Sequence, residues 1–270
     1  MRIAHVGNPA NVGEIISRAQ SKTGHDVEFW PRDRFRLPKG LRWLELTDYD
    51  VLHLHSFRLL PHAFETMVTP ARVVIHHHGS DVRGKGPPLF AKYAHHQFCN
   101  YDLTSWCDGE AIPLPVENHC PWHRIEESHV FHSEGQPHKA GFRFVYEACK
   151  DLNLSYGPHS RIDHNDALSF MGRSSVVIGK VTRWSGLPGM VCLEAMSMGK
   201  PALCYVSPQV LALMPGSCPV VPVTPESLKT VLRAVMSSAN MRQDLGGRGK
   251  EYVARHHDPG RIAARCLEVY

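Results

Sequence analysis

Histidine is the residue type most over-supplied for chemistry in this chain, at 19 of 270 residues against 10 Phe and 8 Tyr. Imidazole titrates near neutrality, ligates metals and hydrogen-bonds through either ring nitrogen, so the excess points to proton transfer, a cation or a polar ligand. His53 and His55 stand two apart in DVLHLH, which puts both rings on one face of a strand, and His76, His77 and His78 run consecutively in RVVIHHHGSD. His53 and His55 could chelate, but no acid or thiol falls at metal spacing near them, and no metal is expected. A second concentration of chemistry is Trp184–Val206, WSGLPGMVCLEAMSMGKPALCYV. It reads as a Gly/Pro loop, a short helix with one acid (Glu194) in an apolar face, a Gly-Lys-Pro stop and a buried strand. A helix N-terminus opened by glycines offers bare backbone N–H groups and a partial positive charge, which suits a diphosphate. A carboxylate about a turn and a half further on could accept from a ribose diol, as acids do in nucleotide sites.

Other chemistries lack their residues. The eight cysteines contain no CxxC, and those in MVCLEAM and PALCYV suit small buried hydrophobes, so a reduced, cytoplasmic protein is expected. There is no GxGxxG after the first strand, no P-loop, no GxSxG elbow and no HExxH. The N-terminus lacks the apolar run of a signal peptide, and no stretch of about 18 apolar residues could span a membrane. Lys+Arg 30 against Asp+Glu 26 gives a net charge of +4. That balance is scattered, and no nucleic acid is expected as a partner. Its densest patch, Arg32, Arg34 and Arg36, fits a solvated loop or an anionic acceptor, and peripheral membrane contact is possible.

The elements that must carry these residues alternate. Strands are expected at Arg2–Val6, Asp26–Trp30, Asp50–His55, Arg72–His77 and, more weakly, Asp102–Trp106, with a helix at Glu14–Lys22. The rhythm restarts with a strand at Ser128–His132 and a helix at Phe142–Leu152. A helix capped by Asp163 follows, then a strand at Ser174–Ile178, a helix at Gly189–Met198 stopped by Gly199, and a strand at Ala202–Val206. Thr224 with Pro225 opens a helix burying Leu228, Val231, Leu232, Val235 and Met236, and two further helices end the chain. Repeated βα units argue an α/β protein with parallel sheets. The proline-rich stretch 113–127 reads as an exposed connection between two domains, 1–118 and 119–270. Ligands of such sheets sit outside the carboxyl ends of strands, which singles out the loops after Val6, His55, His78, His132, Ile178 and Val206.

GMVCLEAMSMGKPAL resembles the donor-site motif of glycosyltransferase family 4 and its GT-B-fold relatives, Glu-Gly-Phe-Gly followed by Glu-Ala-Met-x-x-Gly-x-Pro. Other stretches resemble the same family in the same order. They are the opening MRIAHVGNPANVGEIISRAQSKTGHDVEFW, then DYDVLHLHSF, VVIHHHGSDVRG, PLPVE, HSEGQPHKAG and the closing GKEYVARHHDPGRIAARCLEVY. Together they cover most of the chain.

The resemblance implies a GT-B-like fold: two Rossmann-like domains with parallel sheets facing an interdomain cleft. The acceptor would lie mainly on the first and the nucleotide-sugar donor on the second, with the last helix packing back on the first. It implies a retaining, metal-independent glycosyltransferase that needs no cofactor and takes a UDP- or GDP-sugar as substrate, with a sugar, lipid or glycan as acceptor. Glu194 matches the ribose-binding Glu; Gly189, Met190 and Val191 match the backbone approaching the donor; and Lys139 matches the diphosphate lysine. Asn11 and Gly13 match the first-domain loop facing the diphosphate. His78, Ser80 and Asp81 match the strand-end segment near sugar and acceptor, with His78 as the expected catalytic group and His55 on the acceptor side. The chain departs from the pattern in three places. Gly186 stands where the family has its first Glu, Ser133 stands about where it has an Arg, and the first domain is short after Arg83. Arg183 and Lys180 could supply the missing charge. The same residues also suit a GT-B-fold protein that binds a nucleotide or sugar without transferring it. His132 and His138 flank the Lys139 loop, while His95, His96, His256 and His257 are expected at the surface.

Overall fold

The computed structural model describes residues 1–31, 48–55, 70–78, 82–87, 89–119, 129–132, 140–157, 162–183 and 186–270. They divide into two compact units, Met1–Pro115 with Pro259–Tyr270, and Val116–Asp258. The change of unit therefore falls at Pro115/Val116, and the closing helix belongs with the first unit.

The first unit holds β1 (Arg2–Val6), α1 (Val12–Ser21), β2 (Asp26–Trp30), β3 (Val51–His55), β4 (Arg72–His77), β5 (His96–Cys99) and β6 (Glu110–Ala111). These form one parallel sheet in the order β2-β1-β3-β4-β5-β6. Its two faces differ in kind. Ala4, Val6, Leu52, Leu54, Val73 and Ile75 line one face and pack with Trp30 and Tyr49 into a dry core. The register pairs His5 with His53 and His55 with His76, so the alternate residues pave the other face with imidazoles.

The expected strand at Asp102–Trp106 is corrected. Tyr101–Leu103 is a 3-10 turn, in which buried Asp102 takes the guanidinium of Arg83. The strands lie on either side, at His96–Cys99 and Glu110–Ala111. The stretch expected as an exposed connection starts buried, at Leu114, Pro115 and Val116.

The second unit holds β7 (His129–His132), α2 (Phe142–Asp151), β8 (Ser155–Gly157), α3 (His164–Arg173), β9 (Val176–Ile178), α4 (Met190–Ser197), β10 (Ala202–Cys204), α5 (Pro208–Leu213), β11 (Val221–Pro222), α6 (Leu228–Ser237) and α7 (Ala239–His256). Its sheet is parallel in the order β11-β10-β9-β7-β8. Val130, Val176, Ile178 and Leu203 pack under Leu228, Leu232 and Val235 of α6. That helix starts at Leu228, after a turn through Pro225, rather than at the proline itself.

Helix α4, which carries Glu194, is fixed at its far end. Gly199 takes a φ of +72°. Its N–H donates to Met196 O and that of Lys200 to Ala195 O, both at 2.9 Å, the paired bonds that end a helix at glycine. Helix α7 closes on this turn through small residues: a Cβ on Gly246 would lie 2.0 Å from Gly199 O, and one on Gly249 would lie 3.0 Å from Met196 Cγ. The first unit ends in α8 (Pro259–Leu267), which packs along α1 and covers the histidine face. No helix among the described residues is long and apolar enough to cross a membrane.

Candidate functional site

In the second unit the chemistry gathers on α4. Gly189 caps the helix in extended conformation with no side-chain cap. Its carbonyl accepts from Cys192 N and Leu193 N, which leaves the N–H groups of Met190 and Val191 ahead of the first intrahelical bond. Gly189 is exposed, and Met190 and Val191 are half-buried. Glu194 follows on the next turn, with 5% of its surface accessible. The four donor-site residues expected on this segment therefore share one helix end.

Sequence reasoning missed the partner of the acid. His164 Nε2 lies 2.8 Å from Glu194 Oε1. His164 is the first residue of α3, where the Asp163 carboxylate accepts from Asp166 N at 2.8 Å, as expected of that cap. Nothing in the local sequence marks His164, because the contact joins residues 30 apart. The hydrogen bond to Glu194 raises the His164 pKa above the ordinary histidine value, against the opposing pull of desolvation.

The sign of the linkage follows. A histidine whose folded pKa lies above its unfolded value of about 6.5 stabilises the fold below that pH. The contribution is lost as pH rises through the raised folded value. The His164 side chain is 45% exposed, so solvent screening keeps the effect small. Titration of the His164 ring protons by NMR is expected to give a pKa above that of an exposed histidine, and Glu194→Gln is expected to bring it down.

Gly186 stands where the resemblance expects a Glu, and its backbone and neighbours disfavour a side chain there. It is buried with φ +64°, and a Cβ there would lie 3.0 Å from Ser207 Oγ and 3.2 Å from Ser207 Cβ. Ser207 cannot turn away freely: its N–H donates to Gly186 O at 3.1 Å, and its hydroxyl caps α5 by accepting from Val210 N at 3.2 Å. Gly186→Glu is therefore expected to destabilise the protein by about 1–3 kcal/mol rather than restore a family residue. A lowered midpoint in thermal denaturation, without gain in donor turnover, is the expected result.

Arg183 is exposed, and its positive charge helps to hold Glu226 below the usual carboxylate range, behind that residue's own hydrogen bonds. Lys180 is exposed. Lys139, Ser80 and Asp81 lie outside the described residues, as do His138 and the Arg32, Arg34 and Arg36 patch.

In the first unit the loop after β1 is tightly drawn. Ala10 and Asn11 both have positive φ, +53° and +63°. Asn8, which sequence reasoning passed over, ties down the first turn of α1: its Oδ1 accepts from Glu14 N at 3.2 Å, and its amide donates to Glu14 Oε2 at 3.2 Å. Asn11 Oδ1 accepts from Asn8 Nδ2 at 3.4 Å. Gly13 is buried, its Cα facing Gly7 O and the His55 ring. It brings the start of α1 down onto the end of β3.

Below it the imidazoles form a connected array. His5 Nε2 lies 2.7 Å from Gln20 Oε1, His5 Nδ1 lies 3.0 Å from His55 Nε2, and His55 Nδ1 lies 3.1 Å from His78 Nε2. Gln20 Nε2 in turn donates to Ala263 O at 3.4 Å and Tyr270 OH at 3.3 Å. Tyr270 OH also contacts His53 Nδ1. His5, His53, His55 and His76 are fully buried. Desolvation is the main cause that lowers each: His5 falls to about 4, opposed by its bond to Gln20, and His78 to about 3, helped by His77. His53, His55 and His76 fall well below the ordinary value through burial and then one another.

Two triplets, His5/His53/His55 and His55/His76/His78, have a ring nitrogen each within 4.8 Å of one another. A cation binds imidazole along a lone pair in the ring plane. The pairs His53/His55 and His76/His78 are stacked, with centroids 4.3 and 4.1 Å apart and planes inclined by 16° and 27°. Within the triplets the ring nitrogens of His5 and His55, and of His55 and His78, lie within hydrogen-bonding distance.

The surface expectation is corrected for two other histidines: His257 is buried, and His96 is half-buried in β5 with Nε2 3.1 Å from Glu110 Oε2. His95 is exposed, as expected, and its Nδ1 accepts from Val73 N at 3.0 Å. His132 is buried at the end of β7, where its Nδ1–H donates to Ile178 O at 2.9 Å.

No protein-family model matches the sequence, and no curated protein does. Solved structures do. The chain is similar to sucrose-phosphate synthase from Thermosynechococcus elongatus, with TM-score 0.71 and 12% identity over 100% of this chain and 98% of that one. It is similar to Anabaena HepE, solved in complex with UDP and glucose, with TM-score 0.71 and 12% identity over 99% and 98%. It is also similar to a glycosyltransferase from Rickettsia africae, with TM-score 0.70 and 10% identity over 99% and 97%. The fold is thus GT-B-like: two α/β units, each built on a parallel sheet.

Proposed function

We propose that this protein is a glycosyltransferase that moves a sugar from a UDP- or GDP-sugar to an acceptor, with retention of configuration and without a bound metal. The observation that carries the reading is the α4 end: bare N–H groups at Met190 and Val191 with buried Glu194 one turn on. Such an end stabilises a leaving diphosphate without a cation, and Glu194 offers its carboxylate to the ribose hydroxyls. Arg183 adds positive charge near that end, and Lys139, outside the described residues, is proposed for the diphosphate on its motif alone. On the first unit, the loop of Asn11 and Gly13 and the strand-end group of His78, Ser80 and Asp81, backed by His55, serve the sugar and acceptor. The acceptor is a sugar, lipid or glycan, and a lipid acceptor would bring the protein to a membrane surface. HepE, solved with UDP and glucose, supports a uridine donor.

A second reading, binding of the nucleotide sugar without transfer, is favoured by Gly186, whose positive φ and close contact with the Ser207 side chain disfavour an acid there. A panel of nucleotide sugars separates the two. Transfer or slow hydrolysis of one donor, lost in Glu194→Ala, is the expected result. Tight nucleotide binding with no turnover of any donor would leave the second reading, and no binding at all would end both.

A further inference from the structure

Hydrogen bonding satisfies part of the imidazole array and leaves the rest unmet. Ala263 O can only accept, so the Gln20 group facing it is the amide NH2, and Gln20 Oε1 faces His5. His5 therefore donates from Nε2 and, as a neutral ring, carries its lone pair on Nδ1. That lone pair faces His55 Nε2 at 3.0 Å, while His55 Nδ1 is held by His78 Nε2 at 3.1 Å. In His53, Nδ1 contacts Tyr270 OH, and Nε2 is buried with no hydrogen-bond partner among the described residues. Each of the three rings is thus held at one nitrogen by an outside side chain. One nitrogen of each lies within 4.8 Å of the others. A direct hydrogen bond from His55 to His5 settles two of the inner nitrogens. It leaves His53 Nε2 and both nitrogens of fully buried His76 unpaired, which is costly for polar groups away from water. A transition-metal ion settles His53 as well. Zinc takes three imidazoles with a water in the fourth position, and that water brings a donor to His76. The His76 ring lies 5.8 Å from that of His53 and 5.5 Å from that of His55.

We propose that His5 Nδ1, His53 Nε2 and His55 Nε2 bind one first-row transition-metal ion of the Zn2+ class, at a structural site within the first unit. The donor set fits that class: imidazole suits zinc and its neighbours, whereas Mg2+ and Ca2+ take oxygen ligands. Gln20, Tyr270 and His78 are the outer partners that orient the three ligands and fix which nitrogen each presents. Metal–nitrogen bonds of about 2.0–2.1 Å draw the rings closer than they stand. The His53 ring turns off its stack on His55, where the planes now meet at 16°. The ion ties β1 and β3 to α1 through Gln20 and to the chain end through Tyr270, so its binding adds to the stability of the first unit. The diphosphate chemistry proposed for α4 uses no metal, and the two readings stand or fall separately.

The test uses the full chain, refolded from denaturant either with a chelator or with Zn2+, then desalted. One Zn2+ per chain is expected to stay bound and to raise the melting midpoint above that of the chelated protein. Co2+ in its place is expected to show the visible absorption of a four-coordinate ion. With cadmium-113 and nitrogen-15 histidine, NMR is expected to show metal–nitrogen coupling to three histidines, two through Nε2 and one through Nδ1. Gln20→Met keeps the side-chain volume and removes the oxygen that holds His5, and is expected to weaken Zn2+ binding by about 10- to 100-fold. His53→Phe is expected to abolish it. A wild type that retains no ion overturns the proposal. So does an ion held equally well by both variants, which marks uptake by surface histidines, and so does coupling to a different set of nitrogens. Should the variants fail to fold, retention and coupling in the wild type decide by themselves.

Discussion

Glu194→Ala is expected to weaken binding of the nucleotide-sugar donor by roughly 10- to 150-fold. A hydrogen bond to a charged group contributes about 1.5–3 kcal/mol, and each 1.4 kcal/mol is about tenfold in affinity. The carboxylate is 5% exposed, so its bonds to a ligand would form away from competing water. The helix that holds it stands without it. Its glycine-terminated end is made by the backbone of Ala195, Met196, Gly199 and Lys200. Its start at Gly189 uses no side chain. The partner left behind, His164, is 45% exposed and regains water, which avoids the large penalty of a buried unpaired charge. Calorimetric titration with UDP and UDP-glucose beside a thermal melt separates the effects: affinity falls while the melting midpoint moves little. Unchanged affinity would remove Glu194 from the donor site. Glu194→Gln refines the result, since the amide keeps an acceptor oxygen toward the ribose and should recover part of the loss.

What could be read from the sequence follows from the range of the interactions involved. The strands β1, β3 and β4 and the helix α4 are announced by apolar runs and by Gly199, because those signals are local. The strand at His96–Cys99 is not, because HQFC interleaves polar residues with the hydrophobes. His96 is satisfied by Glu110 and Gln97 by His77 and Ala91 O, partners that only the sheet brings near. The histidines show the same division. Their clustering at strand ends is visible in DVLHLH and VVIHHHG, and a cleft-lining role is the natural expectation. That expectation puts a few of them, His78 first, against a ligand, whereas His53, His55 and His76 are fully buried, as is His5. They lie under a helix whose Gln20 is 15 residues from His5 and 243 from Ala263. Burial of a polar ring is tolerated when its nitrogens find partners; His5 and His55 find them for both nitrogens, whereas among the described residues His53 Nε2 and both nitrogens of His76 have none. On α4, Glu194 stands out through its motif, but His164 does not, and neither does the Ser207 contact that disfavours a side chain at position 186.

Gly13→Ala is the substitution expected to damage the first unit most, and its sign runs against the usual rule. Alanine in place of glycine inside a helix normally stabilises by about 0.8–1.0 kcal/mol, and Gly13 is the second residue of α1. A Cβ there, however, would lie 2.4 Å from Gly7 O and 3.1 Å from His55 Cδ2. The carbonyl is backbone and cannot rotate away as a side chain would. Gly7 is tied by its own N–H to Trp30 O at 2.9 Å and holds a φ of +88°. The methyl therefore drives the start of α1 off the sheet, and overpacking of this kind costs about 1–3 kcal/mol. The displaced helix carries both Glu14, held by Asn8, and Gln20, so the loss should reach the histidines beneath. The control lies in α7, where Gly247 is exposed and a Cβ would meet nothing within 4 Å. Gly247→Ala is expected to stabilise by about the propensity difference. Denaturant titrations of the two variants should move in opposite directions from the wild type. If Gly13→Ala is neutral or stabilising, the close approach of α1 to Gly7 and His55 is not a constraint on this fold.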